Sequence, residues 1–100
     1  MQRQLLERID EATATEFTLS EEFGETSATI EYFEQLQNSR ERADNYYARL
    51  FTTLRQIYPA QPMASRDSLE LLARFIAEAE ATVDAIGATV AEIRRDFQLP

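Results

Sequence analysis

The 100-residue chain contains no cysteine, no histidine, no lysine and no tryptophan, and only two glycines and three prolines. Each absence removes a chemistry. Without Cys there is no disulfide, no thiolate nucleophile and no zinc–sulfur site. Without His the commonest general base and the commonest transition-metal ligand are missing. A ferritin-like di-iron site, which draws a Glu-x-x-His from each of two helices, has no ligand set to build it. Without Lys there is neither a Schiff-base amine nor a phosphate-binding P-loop lysine, and all ten basic residues are Arg. Two glycines cannot form a phosphate-cradling loop, and no G-x-S-x-G turn presents a serine nucleophile. No eighteen-residue apolar run occurs, and the segment from Met1 to Glu11 is polar and of mixed charge. The expectation is a cytoplasmic, non-enzymatic protein with no membrane span and no cofactor.

What is present is helical periodicity. An apolar fraction of 44% with 28% charged residues suits a folded chain, and 100 residues suit one domain. From Ser65 to Phe97, the residues Leu69, Leu72, Ile76, Ala79, Val83, Ile86, Val90, Ile93 and Phe97 recur at alternating spacings of three and four. Such a 3.5-residue repeat marks a helix presenting one continuous seam. A second repeat runs through Phe33, Leu36, Ala43, Tyr47, Leu50, Leu54 and Ile57, with Arg40 as its one charged member. Pro59 stops this helix, because proline has no amide donor and restricts the residue before it. Pro59 to Ala64 reads as a loop, and Ser65 as the N-cap of the last helix. Two helices of about 33 residues would each span about 50 Å, and a six-residue connection folds them back antiparallel.

The N-terminal third is less regular. Residues 2–16 read as a short amphipathic helix with Leu5, Ile9 and Ala12 on one face. Beyond Ala12, alternation of Thr and apolar residues also fits a small β-hairpin near 13–31. Thr18-Leu-Ser-Glu21 has capping-box spacing and would start a second helix at 19, or at 26 if Gly24 interrupts it. Gln98, Leu99 and Pro100 read as a frayed tail. The expected fold is all-α: an antiparallel helical hairpin of two long helices plus a shorter N-terminal helix, in one domain over 1–100. A helix of about fifteen residues cannot cover about 50 Å of hairpin, so the expected assembly is a three-helix bundle or a homodimer with a two-fold, four-helix core.

Candidate functional residues are aromatic and basic rather than catalytic. Tyr32, Tyr46, Phe51, Tyr58 and Phe75 exceed what one seam buries, and Arg40 sits in a seam where it either fixes register against an acid or snorkels to solvent. These six are the expected partner-binding residues, for a second copy or a protein client. The formal charge of −8 opposes direct nucleic-acid binding. Eight of the acids lie between Ile9 and Ser39, where no base occurs. Their plain reading is a solvated face that keeps a small protein soluble.

Three functions follow. The first is helix–helix association as an adaptor, small chaperone or assembly subunit. The second is an acidic inhibitor of the nucleic-acid-mimic or immunity type. The third starts from Glu31-Tyr-Phe-Glu34, which places two carboxylates one turn apart. That spacing resembles half of the ExxE…ExxD arrangement of all-α nucleotide pyrophosphohydrolases of the MazG type, and implies a Mg-dependent hydrolase. The resemblance covers four residues: the later pairs Glu80/Asp84 and Glu92/Asp96 are spaced i,i+4, and Glu7-Arg-Ile-Asp10 precedes the ExxE.

Overall fold

A computed structural model of the chain describes residues 1–57 and 66–100. It holds three helices, α1 (Gln2–Phe23), α2 (Ile30–Ile57) and α3 (Arg66–Asp96), and no strand among the described residues. The expected β-hairpin near 13–31 is therefore absent: those residues belong to α1, to a turn and to the start of α2. Tyr58, Pro59, the expected loop and the expected Ser65 cap lie outside the described residues.

α1 is longer than its periodicity suggests. It runs to Phe23 rather than ending near 16, because its buried stripe Leu5, Ala12, Thr15, Leu19 continues at spacings of seven, three and four. Threonine carries this stripe where an aliphatic is expected. The Thr15 hydroxyl donates to the Glu11 carbonyl at 2.7 Å, so its polar atom is satisfied inside the helix. Thr18 does the same to the Ala14 carbonyl at 3.0 Å, which removes it as a cap. The helix stops at Gly24, whose φ of 68° and ψ of 178° lie in a region open essentially to glycine alone.

The capping box lies eight residues later than the spacing of Thr18 and Glu21 predicts. Thr26 Oγ1 accepts from the Ala28 amide at 3.2 Å, and Thr29 Oγ1 accepts from the Thr26 amide at 2.9 Å. The same Thr29 hydroxyl donates to the Gly24 carbonyl at 2.8 Å. One buried threonine thus ties the end of α1 to the start of α2. The C-terminus is also capped rather than frayed. Gln98 adopts a left-handed φ of 54°, the Leu99 amide donates to the Arg94 carbonyl at 2.8 Å, and the Gln98 amide donates to the Arg95 carbonyl at 3.1 Å. This is the double hydrogen bond of a Schellman end.

The helices pack pairwise, α1 most extensively against α2. Leu5, Ala12 and Leu19 of α1, Leu36, Ala43 and Leu50 of α2, and Val83, Ile86, Val90 and Ile93 of α3 form one core. Phe97 closes one end, with Tyr32 edge-on at 4.7 Å and Phe23 tilted at 5.2 Å. Such aromatic pairs add about 0.5–1.5 kcal/mol each beyond their burial. Contacts also fix direction. Arg8 reaches Val83 and Phe23 reaches Phe97, so α1 and α3 run the same way. Tyr32 meets Phe97 and Tyr46 meets Phe75, so α2 runs against α3.

Candidate association surface

The α1–α3 register decides where the core is complete. Arg8 lies beside Val83 and Phe23 beside Phe97, offsets of 75 and 74 in residue number. The first helical residue of α1, Gln2, therefore stands level with Ile76 and Ala77, and the stretch of α3 before them has no α1 alongside. Burial follows this boundary. Every buried residue of α3 lies at Ala79 or beyond. Leu69, Ile76, Val83 and Val90 occupy one stripe at heptad spacing; Val83 and Val90 are 6% and 3% exposed, Ile76 is half-buried, and Leu69 is 46% exposed. On α2 the matching region holds the half-buried Leu54 and Phe51, which is 47% exposed. The result is an apolar lane at the α2–α3 tip, along the path that α1 vacates.

Two of the expected partner-binding residues pack on one another, and a third, Phe51, stands apart from them, about 140° around α2 from Tyr46. Tyr46 and Phe75 pack at 5.5 Å with their planes tilted by 37°, and the Arg49 guanidinium lies over both rings, 5.6 Å and 4.9 Å from their centroids. Phe51 carries Arg55 over its face at 5.7 Å. Arginine over an aromatic face keeps its charge hydrated while covering apolar surface. Tyr58 lies outside the described residues. The other two candidates sit elsewhere. Tyr32 packs on Phe97 at the opposite end, and Arg40 turns to α1, where Nη1 donates to Glu16 Oε2 at 2.8 Å. Arg40 thus meets an acid on a facing helix, and that helix belongs to the same molecule.

A second polar contact, not foreseen from sequence, fastens α1 to α3. Arg8 Nε donates to the Val83 carbonyl at 2.8 Å, while Nη1 lies 2.8 Å from both Glu11 carboxylate oxygens. The guanidinium rests against Gly87, where a Cβ would stand 2.9 Å from its Cζ and Nη2. The side chain at 87 is absent where the clasp needs the space. A signal existed: Gly87 is the one glycine inside the long C-terminal helix, a position that costs about 1 kcal/mol relative to Ala unless a neighbour uses the room.

The acids around the α1–α2 turn face outward. Glu21, Glu22, Glu25, Glu31 and Glu34 are exposed and form no ion pair among the described residues. Glu31 and Glu34 have no third ligand: no group of three or more His, Cys, Asp or Glu able to hold a metal occurs among the described residues. No helix among them is long and apolar enough to cross a membrane. Comparison with protein-family models, with curated proteins and with solved structures gave no match to this chain.

Proposed function

We propose that this is a non-enzymatic protein that works through helix–helix association, receiving a partner helix in the lane at its α2–α3 tip. In this reading the antiparallel α2–α3 hairpin is the working unit, and α1 completes it to a three-helix bundle over all but its tip. The observation that carries the reading is the stripe Leu69–Ile76–Val83–Val90, buried beside α1 and bared beyond it. A helix laid over the bared part would meet the same seam that α1 covers further on, the helix-in-groove mode of recognition. The half-exposed Phe51 stands on the α2 side of the lane, and an aromatic side chain of this kind dominates binding energy where it becomes fully desolvated.

The test compares two leucines. Leu69, on the stripe, is 46% exposed, whereas Leu71 is 63% exposed but lies two residues on, about 200° around the helix from it. In sedimentation equilibrium the wild type should associate as concentration rises, Leu69→Glu should abolish association, and Leu71→Glu should leave it intact. Equal effects of the two substitutions, or a wild type that stays at 11.5 kDa, would remove the proposal.

A second reading, an acidic inhibitor, is favoured by the five unpaired exposed glutamates around the α1–α2 turn. It predicts inhibition of a basic enzyme site that collapses at high ionic strength, whereas lane-driven association persists.

A further inference from the structure

We infer that the helix received at the tip comes from a second copy of this chain, docked head to tail, so that the acidic α1–α2 end of one molecule meets the basic tip of the next. The inference rests on the association reading above and names its partner. It is carried by charge and apolar exposure at the two ends of an elongated molecule, 54 Å long and 21 × 17 Å across. At the tip, the described residues Arg49, Arg55, Arg66 and Arg74 stand against Asp67 and Glu70, and Arg66 pairs with Glu70 at 3.3 Å, so three arginines remain against one acid. At the other end, Glu21, Glu22, Glu25, Glu31 and Glu34 are unpaired among the described residues around the α1–α2 turn and, with Asp96, outnumber Arg94 and Arg95, which the Phe23–Phe97 contact brings to the same end. Both ends also bare large apolar side chains: Phe51 and Leu69 at the tip, and Phe23 and Ile30, 45% and 46% exposed, on either side of the α1–α2 turn.

These features separate two assemblies. A two-fold axis through the tip sets arginine-rich surface against arginine-rich surface, which opposes docking. Head-to-tail contact brings the unpaired glutamates within about a Debye length, roughly 8 Å at physiological salt, of the tip arginines. It also covers bared aromatic with bared aliphatic surface. The two patches differ, so the contact is heterologous: each added molecule leaves one head and one tail free, and association is open-ended.

A mixing experiment tests this. A head-blocked variant carries Phe51→Glu and Leu69→Glu; a tail-blocked variant carries Glu21→Arg, Glu22→Arg and Glu25→Arg. All five positions are exposed, so circular dichroism should show wild-type helicity for both. The wild type should exceed the mass of two chains as concentration rises through hundreds of micromolar. Each variant alone should sediment as one 11.5 kDa chain. An equimolar mixture should give a dimer and nothing larger, since it holds one usable head and one usable tail per pair. A closed wild-type dimer that the head substitutions abolish and the tail substitutions leave intact overturns the head-to-tail arrangement while retaining the association reading. A wild type that remains a single chain throughout overturns both.

Discussion

Replacing Gly87 by Ala tests the Arg8 clasp, and the expected outcome is unusual for a helix-interior glycine. By helix propensity alone the substitution stabilises, since Ala is favoured over Gly by about 0.8–1.0 kcal/mol inside a helix. Against this, the new methyl would stand 2.9 Å from Arg8 Cζ and Nη2 and 3.0 Å from Nε, closer than side-chain carbons approach. The obstacle is the far end of a flexible side chain, so the guanidinium swings away and α3 stays in place. What is lost is the bond from Nε to the Val83 carbonyl. A charge-assisted hydrogen bond contributes about 1.5–3 kcal/mol, and solvent screening at a side chain one quarter exposed discounts this to about 1–1.5 kcal/mol. The two effects nearly cancel. Gly87→Ala should therefore change stability by less than about 0.5 kcal/mol in the wild type and stabilise by about 1 kcal/mol in an Arg8→Ala background. The coupling of about 1–1.5 kcal/mol is the measure of the clasp. Urea denaturation of the four proteins, at one low concentration so that self-association does not contribute, gives the cycle. Equal stabilisation by about 1 kcal/mol in both backgrounds would show that the guanidinium at Gly87 does not hold α1 to α3.

Three further outcomes follow from the chain's turns. Gly24→Ala should destabilise by about 2 kcal/mol in thermal melts: no atom lies within 4 Å of the added Cβ, so the cost is purely the backbone at φ 68° and ψ 178°. A wild-type midpoint would show that the turn relaxes without strain. Gln98→Gly should stabilise by up to about 1 kcal/mol, because it relieves a left-handed residue inside an intact Schellman end. A drop in stability would mean that the Gln98 side chain contributes there. Thr29→Val keeps the shape but removes the hydroxyl that joins Gly24 and Thr26, and should cost about 1 kcal/mol by leaving two partly buried backbone groups without this partner. Amide exchange should then speed up at Thr26 before it does in the core of α2; unchanged exchange at Thr26 would remove that bond from the account.

Much of the helical content was legible because it is carried by local repeats. Periodicity places the end of α2 and both ends of α3 within a few residues of those observed, whereas the start of α2 reads as 19 or 26 and is observed at Ile30. The errors have specific causes. α1 reads short because Thr15 occupies a buried stripe position, and a threonine becomes acceptable there only by returning its proton to the Glu11 carbonyl. The capping box reads eight residues early because Thr18-x-x-Glu21 has the right spacing, while the true partner of Thr26 is Thr29, a residue with no carboxylate. The C-terminal cap is invisible because Gln is not the residue that left-handed geometry selects.

The association surface divides along the same line. Local repeats and composition establish that the chain is helical, that a nine-position seam runs from Leu69 to Phe97, that acids crowd the first third and arginines follow, and that cysteine, histidine and lysine chemistry is unavailable. A repeat specifies which side chains share a face, since that depends only on 3.6 residues per turn. It cannot specify how far a neighbouring helix extends along that face. Tertiary structure alone decided that α1 begins level with Ile76, so that Val83 and Val90 are buried and Leu69, on the same stripe, is bared. It also decided that Arg40 meets Glu16, and that Arg8 uses the space Gly87 leaves. These depend on the register between helices, which is set by the summed packing of all three and by no single segment.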